Sequence, residues 1–382
     1  MKNSFNLVTL YIVAFFGFAS FSFLVPVVPL YAAKLGAPVS QVGLIVGVTF
    51  YVAAFFLIPF GMLSDRFGRR NLLVGGLIVF TLAPLLYPLA SNPQQLILVR
   101  AVHGLGAAAF IPAAITMVVD LAPEARRGEA IGWYTTSSQL GLMAGPIACG
   151  FLADYFGFNA AFYSCSAVTV FGLVFALTRL GTIVHRPVTT PDRASSSWRW
   201  LGHPFPIAVL LVFLLVGVGL GTISGYIPLY GRGFGLTEAD AGLIITAMYA
   251  GSALLRAPAG RLSDRVNRNM LLIGGLGLSA VAVALFSFFH GLAQFIIIGI
   301  IFGIGMGIAM PASLAAAADF SPAGGRGMSM AITVCFFHIG MAVGPTAMGF
   351  IAGISSFEAM FLACAATLAL GLFITLGLMR VR

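Results

Sequence analysis

Arg100 and His103 are the first candidates for chemistry, because they lie three residues apart inside a long apolar run. On a helix this spacing places both side chains on one face. An arginine in apolar surroundings is costly, which makes it a candidate for substrate binding or proton transfer. The alternative is an arginine whose long side chain snorkels to a polar boundary. We favour the functional interpretation.

His338 is a second titratable candidate, since it lies about 10 residues into another apolar run. An imidazole changes charge in the physiological pH range and could carry a proton. A neutral histidine that is satisfied by a neighbouring helix is an equally good interpretation. None of the eleven acidic residues lies in the middle of an apolar run, so any proton relay must use histidines or acids near the helix ends.

The runs that position these side chains are typical of membrane-spanning α-helices. The chain is 60% hydrophobic and only 8% charged, whereas a soluble protein carries about 25% charged residues. The runs are too long for the strands of an outer-membrane barrel. We predict an all-α integral membrane protein with 12 transmembrane helices. They are predicted near residues 7–30, 41–62, 72–91, 96–119, 130–152, 160–180, 207–230, 240–260, 270–290, 293–317, 329–352 and 357–379.

The basic residues predict the orientation of these helices. Nearly all of them fall on the side that holds both termini, and only Lys34 and Arg232 fall on the other side. Under the positive-inside rule both termini are cytoplasmic, in a multi-pass protein of the plasma (inner) membrane. The net charge of +9 then reflects topology, and no nucleic-acid partner is expected. The first run is too long for a signal-peptide core and is interpreted as a retained helix.

The two halves of the chain repeat each other at a constant offset of 199 residues, so that Pro29 matches Pro228. Six helices per copy is an even number, which makes the copies parallel repeats. We predict two pseudo-symmetric six-helix bundles at 1–180 and 207–382, joined by a cytoplasmic linker at 181–206. Two such bundles can rock about a site between them, which is the geometry of alternating access.

The repeat also separates architecture from specificity, because polar residues unique to one half are better candidates for substrate contacts. Arg100 and His103, for example, match Gly299 and Phe302. The substrate or coupling candidates are Arg100, His103, Tyr51, Gln139, His338 and Arg256. Arg256 lies close to the predicted end of its helix, where snorkelling is the favoured interpretation.

An acid followed by arginines recurs in the loops after the second and eighth predicted helices. The first loop runs from Gly61 to Arg70 and the second from Gly260 to Arg268. This pattern resembles the signature loop of the major facilitator superfamily, and the resemblance covers essentially the whole chain. It implies that the loops hold the cytoplasmic side closed, with acids at inner helix ends as partners for the arginines; an ordinary positive-inside loop is the alternative. The implied gate residues are Asp65, Arg66, Arg69, Asp120, Asp264, Arg265, Arg268 and Asp319.

Two further patterns resemble motifs of that superfamily. The sequence from Arg100 to Gly106 is similar to its arginine-bearing motif, and the glycines of the fifth predicted helix are similar to the antiporter motif of drug:proton exporters. Small residues at every fourth position allow close helix packing, and a proline allows a bend. Ordinary small-residue packing is the alternative. The implied helix-packing hinge comprises Gly141, Gly145, Pro146, Gly340, Gly344 and Pro345.

Taken with the resemblance, these features predict the two-bundle fold of the superfamily and a secondary active transporter that moves a small organic solute by alternating access. The resemblance favours proton-coupled efflux, most like the 12-span drug:proton antiporter group. The alternative is organic-anion uptake or exchange, with Arg100, and Arg256 as a further candidate, in a basic cavity. No hydrolase or P-loop motif is present, so no enzyme is predicted. The expected partners are the solute, protons and the lipid bilayer, for a monomer without a metal or cofactor.

Overall fold

The computed structural model describes residues 2–123, 126–180, 203–263, 268–319 and 326–380, and within these ranges the chain is all-α. Long apolar runs favour helices, because a helix pairs every backbone group within one segment. The helices are α1 (Lys2–Phe23), α2 (Val28–Lys34), α3 (Val39–Phe67), α4 (Arg69–Leu86), α5 (Pro93–Leu121), α6 (Arg127–Arg179), α7 (Pro204–Arg232), α8 (Glu238–Ser263), α9 (Arg268–Leu285), α10 (Leu292–Asp319), α11 (Arg326–Ile354) and α12 (Phe357–Arg380).

Ten helical segments in the described ranges are long and apolar enough to cross a membrane. The 53-residue α6 is one of them, and it bends at Gly157, where φ is +83°. A left-handed φ of this kind is readily adopted only by glycine. The bend divides α6 into the fifth and sixth predicted spans. The eighth predicted span is α8, which is more polar because its first turn carries Glu238 and Asp240.

Proline breaks two of the predicted helices. The first span is not one continuous helix, because α1 ends at Phe23 and α2 begins at Val28. Pro26 has no N–H to donate, while Pro29 sits in the first turn of α2, where no N–H is needed. The third span likewise ends early, and a short 3-10 turn at Tyr87–Leu89 follows α4.

The chain divides into two compact units. The first comprises Met1–Ala37, Tyr51–Val188 and Thr237–Thr246, and the second comprises Pro38–Phe50, Thr189–Leu236 and Ala247–Arg382. Each unit thus takes one short segment from the other half of the sequence. These segments come from the starts of α3 and α8, so both helices contribute residues to both units.

Within each unit, helices touch backbone to backbone through glycine. A Cβ on Gly141 of α6 would collide with the Phe15 carbonyl of α1. In the second unit, a Cβ on Gly340 of α11 would collide with the Leu214 carbonyl of α7. Large buried side chains such as Phe110 fill the core of the first unit beside this contact. Close packing of this kind fixes the helices that carry the candidate polar residues.

Candidate functional site

Arg100, His103 and Tyr87 form a buried polar cluster in the first unit. Helix α5 begins at Pro93 because the Asn92 side chain caps it, accepting from the Gln95 N–H at 2.9 Å. Arg100 and His103 follow on one face of α5 and are 6% and 1% exposed. The Tyr87 hydroxyl lies 3.2 Å from His103 Nδ1 and is also hydrogen-bonded to the Arg100 side chain.

The hydrogen bonds of this cluster have a direction. Arginine can only donate, so the Tyr87 oxygen accepts from Arg100 and its O–H donates to His103 Nδ1. In a neutral imidazole the hydrogen is then on Nε2. That atom is buried and has no hydrogen-bond partner among the described residues. Because buried polar groups are seldom left unpaired, the Nε2–H of His103 is a donor whose hydrogen bond is not filled by the described residues.

Aromatic rings surround the cluster. Tyr87 stacks on Phe162 of α6 with ring centroids 4.9 Å apart, and Phe80 of α4 meets the His103 ring edge-on at 5.3 Å. Tyr31 of α2 donates to the backbone carbonyl of Tyr87 at 3.2 Å. Three helices, α2, α4 and α6, therefore hold the tyrosine and the histidine in place.

The second unit keeps the aromatic framework and loses all three polar groups. At the offset of 199 residues, Arg100, His103 and Tyr87 are matched by Gly299, Phe302 and Phe286. Phe286 packs on Phe295 and Phe361 with centroids 5.5 Å apart in each pair. The polar cluster is thus an addition to a shared scaffold. Sequence reasoning missed Tyr87, although comparing Tyr87 with Phe286 would have selected it.

Two of the predicted gate arginines form matched ion pairs. Arg69 pairs with Asp120, and Arg268 pairs with Asp319. Each pair joins the start of one helix, α4 or α9, to the end of the next, α5 or α10. Arg69 also donates to the Thr116 carbonyl at 3.2 Å. Each pair lies within its own half of the chain and links two helix ends that are predicted to face the cytoplasm.

The structure describes fewer contacts for the other gate candidates. Arg66 is exposed, and its guanidinium lies 5.8 Å from the Phe67 ring centroid. The side chain of Asp65, together with Asp264 and Arg265, lies outside the described residues.

The predicted hinge residues pack closely in both units. Gly145 faces the Ala19 carbonyl of α1, and Gly344 faces the Val218 carbonyl of α7. Pro146 and Pro345 lie inside α6 and α11. A Cβ on Gly242 of α8 would collide with the Pro146 carbonyl, and one on Gly43 of α3 would collide with the Pro345 carbonyl. Each proline therefore marks the place where the start of another helix docks.

Gln139, His338 and Tyr51 occupy separate positions. Gln139 is 5% exposed, and its Nε2 has no hydrogen-bond partner among the described residues. His338 Nδ1 lies 2.9 Å from the Val334 carbonyl of its own helix, so this nitrogen carries the hydrogen and leaves Nε2 as an acceptor. Tyr51 is half-buried on α3.

The Arg256 side chain is not extended toward the nearer end of α8, as the snorkelling interpretation would require. Helix α8 continues to Ser263, so Arg256 lies farther from its end than predicted. The side chain folds back along the helix, and Nε donates to Ser252 Oγ at 3.4 Å. Side chains on a helix lean toward its start, which here directs the guanidinium toward the middle of the span.

The chain is similar to known membrane transporters along most of its length. The family model described as the Major Facilitator Superfamily matches residues 10–240 and 209–382. An uncharacterised transporter of that type from Methanocaldococcus jannaschii is 26% identical over 93% of either chain. The multi-drug resistance efflux pump PmrA of Streptococcus pneumoniae is 26% identical over 90% of this chain and 88% of its own. The multidrug resistance protein MdtG of Klebsiella pneumoniae is 28% identical over 94% of this chain and 90% of its own.

Solved structures show the same fold. The nucleoside transporter NupG has a TM-score of 0.83 at 12% identity, covering 98% of this chain and 99% of that one. A bacterial homolog of the human lysosomal transporter Spinster has a TM-score of 0.81 at 17% identity, covering 99% and 97%. The helical multi-pass fold and the match along nearly the whole chain show that this protein belongs to the major facilitator superfamily, whose members are membrane transporters.

Proposed function

We propose that this protein exports a small organic solute across the plasma membrane in exchange for protons. Transport by alternating access is a general property of the superfamily. Export is supported by PmrA and MdtG, since both are named for multidrug efflux or resistance and align with about nine tenths of the chain. Both termini are placed in the cytoplasm by the positive-inside rule. One chain carries both halves and is taken as the transporting unit.

The cluster of Arg100, Tyr87 and His103 carries the proton-coupling part of this proposal. It combines a titratable ring with an unpaired nitrogen, in a unit whose twin has only apolar residues at the same places. A merely structural hydrogen bond would not need an arginine in the span, because an arginine there is expensive. A role in proton coupling would explain why Arg100 is buried in the span despite the free-energy cost.

Proton uptake by His103 would rearrange the cluster. A doubly protonated imidazole can only donate, so Nδ1 would have to donate to the Tyr87 oxygen. That oxygen already accepts from Arg100, and its own O–H would then need a new acceptor. The packing of α5 against the turn at Tyr87–Leu89 therefore depends on the charge of His103. A link of this kind between charge and packing is what proton coupling requires.

The two ion pairs support the gating part of the proposal. The pairs of Arg69 with Asp120 and of Arg268 with Asp319 hold the predicted cytoplasmic helix ends in one geometry. We assign them, with the signature loops, to a latch that favours the closed cytoplasmic side. His338 is the second coupling candidate, because its Nε2 is an acceptor when Nδ1 donates to the Val334 carbonyl.

The test uses the full-length protein in liposomes that contain a pH-sensitive dye. Neutral antimicrobials, organic acids and cationic dyes are added in turn, with and without a pH gradient. We expect at least one solute to move against its gradient and to dissipate the pH gradient. Tyr87→Phe and His103→Gln should lower gradient-driven flux about tenfold, the effect of roughly one lost hydrogen bond to a charged group.

Tyr230→Phe is the matched control, because Tyr230 is a buried tyrosine in the aromatic core of the second unit and should leave proton-driven flux unchanged. The coupling role is wrong if His103→Gln retains wild-type proton movement. It is equally wrong if solute moves at the same rate whether or not a pH gradient is imposed.

The second candidate function is uptake or exchange of an organic anion. It is favoured by Arg100 and Arg256, which place positive charge within the spans, whereas the described acids lie near helix ends. Counterflow separates the two functions. An exchanger needs only a trans-side anion, while an exporter responds to the imposed proton gradient.

A further inference from the structure

Arg256 lies deep in its span. It is seven residues before the end of α8 at Ser263, which is about 10 Å at 1.5 Å per residue. Its Nη2 reaches Met310 Sδ at 3.8 Å. Met310 is nine residues before the end of α10 at Asp319, or about 14 Å. The guanidinium is therefore directed toward the start of α8 and away from the nearer helix end.

Helix packing fixes this position. A Cβ on Gly251 of α8 would collide with the Ile300 carbonyl of α10. Conversely, a Cβ on Gly307 of α10 would collide with the backbone of Ser252. The two backbones thus touch within about one helical turn of Arg256. Ser252, which accepts from Arg256 Nε, belongs to this rigid contact.

The guanidinium lacks an acidic partner in the part of the chain that the structure describes. Its contacts there are a hydroxyl oxygen and a thioether sulfur, with the Tyr249 side chain close enough to interact electrostatically. A guanidinium has five N–H donors, so most of them remain for another acceptor. Arg256 is half-buried.

The first half of the chain lacks this group of residues altogether. At the offset of 199 residues the positions of Tyr249, Ser252, Arg256 and Met310 are occupied by Phe50, Ala53, Leu57 and Ile111. Four positions that are polar or polarisable in one half are apolar in the other. Shared architecture does not require the arginine, and an unpaired arginine in a span is destabilising unless an anion joins it.

We propose that Arg256, with Ser252 and Tyr249, binds the acid group of the transported solute, which is an organic acid carrying a carboxylate or phosphonate. This inference rests on the transport function proposed above and holds for either direction of movement. The planar fork of the guanidinium matches two oxygens of such a group. Ser252 accepts from Arg256 Nε and, with Tyr249 nearby, orients the fork.

Binding is tested on the purified full-length protein in nanodiscs by calorimetry. The probes are aryl carboxylates and phosphonates, the methyl esters of the same acids, and cationic dyes. We expect the wild type to bind acids at least about tenfold more tightly than their esters, as loss of a charge-assisted bond predicts. Arg256→Leu, which installs the residue of the first half, should abolish that preference without weakening ester binding.

Three further variants sharpen the result. Arg256→Lys should keep part of the preference, because it retains the charge but not the fork. Arg232→Leu removes one positive charge from the same half at the predicted outer end of α7, and it should keep the full preference. Arg256→Gln guards against misfolding of the leucine variant, since it preserves a polar side chain. Unchanged ester binding reports that each variant is folded.

The subsite is wrong if Arg256→Leu binds the acids as the wild type does. It is also wrong if the wild type binds only esters or cations, or no acid up to about 10 mM, where even weak binding would register. Failure of the transport function is distinguishable. If acids bind through Arg256 but their transport never responds to a pH gradient, the subsite is upheld and export is overturned. If the wild type and Arg256→Leu both move neutral solutes under a pH gradient and neither prefers acids, export is upheld and the subsite is overturned.

Discussion

Arg69 and Arg268 occupy the same place in the two halves and make the same ion pair. Each is more buried than its acid, with 12% and 28% of the side chain exposed. Partial burial makes such a pair stronger than one on the open surface. The pair between Arg126 and Glu129 offers the contrast, because 69% and 51% of those side chains are exposed.

We expect Asp120→Asn to weaken the latch and to shift the balance of conformations by about 1–3 kcal/mol, the usual range for a charged hydrogen bond. Transport should fall by about tenfold for a shift of 1.4 kcal/mol. The exchanged pair Arg69→Asp with Asp120→Arg should recover part of it. Transport rates in liposomes report both variants. Glu129→Gln is the control and should have no measurable effect, since exposed pairs contribute about 0–1 kcal/mol.

Gating by these pairs would be refuted if Glu129→Gln and Asp120→Asn behaved alike. A fully inactive exchanged pair, in a protein that melts at the wild-type temperature, would refute it as well.

At the scale of the helices, the glycines of α6 fall into two groups. Gly141 touches the backbone of α1, whereas a Cβ on Gly132 of the same helix would meet nothing within 4 Å. The repeat places Gly340 in the same relation to α7. Close packing of small residues holds membrane helices together without a hydrophobic driving force. The two pairs, α1 with α6 and α7 with α11, therefore depend on the absence of a side chain at these glycines.

Gly141→Val and Gly340→Val should each destabilise the protein by about 1–3 kcal/mol, because overpacking forces the backbones apart. Gly132→Val is the matched control and should change stability by less than about 1 kcal/mol, the effect of helix propensity alone. Thermal unfolding in detergent measures all three. Equal melting temperatures for Gly132→Val and Gly141→Val would contradict the packing role.

The sequence predicted the helices well, because long apolar runs and the repeat are strong signals. It predicted the break after Phe23 poorly, since Pro26 and Pro29 lie inside a run whose hydropathy does not change. The candidate site was harder to predict from the sequence than the helices were. Arg100 and His103 were selected by type and spacing, but Tyr87 joins them only through a turn after α4. The direction of the Arg256 side chain depends on the contact of α8 with α10, which no local pattern reveals.

At the scale of the whole molecule, α3 and α8 are shared between the two units. The start of α3 lies in the same unit as α11. There the Tyr226 hydroxyl of α7 lies 3.0 Å from the Pro345 carbonyl oxygen and 3.3 Å from the Val39 carbonyl oxygen. The start of α8 belongs with α6, where Thr246 Oγ1 donates to the Met143 carbonyl at 2.9 Å. Alternating access must therefore be accommodated along these two helices. Pro59 and Pro258, which lie inside them, allow bending.

Gly43→Leu should prevent the start of α3 from docking at Pro345, and Gly242→Leu should prevent the start of α8 from docking at Pro146. We expect both variants to expose the starts of α3 and α8, which are the predicted outer ends of these helices. Transport should fall about tenfold, as it would if the balance of conformations shifted by about 1.4 kcal/mol. Labelling of a cysteine introduced at Ser40 or Ala239 by an impermeant maleimide measures the exposure, with the native cysteines replaced.

Gly75→Leu is the control, because a Cβ on Gly75 would meet nothing within 4 Å. Unchanged labelling in both docking variants would show that the starts of α3 and α8 do not close the outer side.

The two arginine clusters are distributed unequally between the halves of the chain. The first half of the chain carries Arg100, Tyr87 and His103, whereas the second half carries Tyr249, Ser252 and Arg256. Under the roles proposed above, a chimera built from two first halves would lack the Arg256 anchor for cargo. One built from two second halves would lack the cluster around His103 and would keep only His338 for proton coupling.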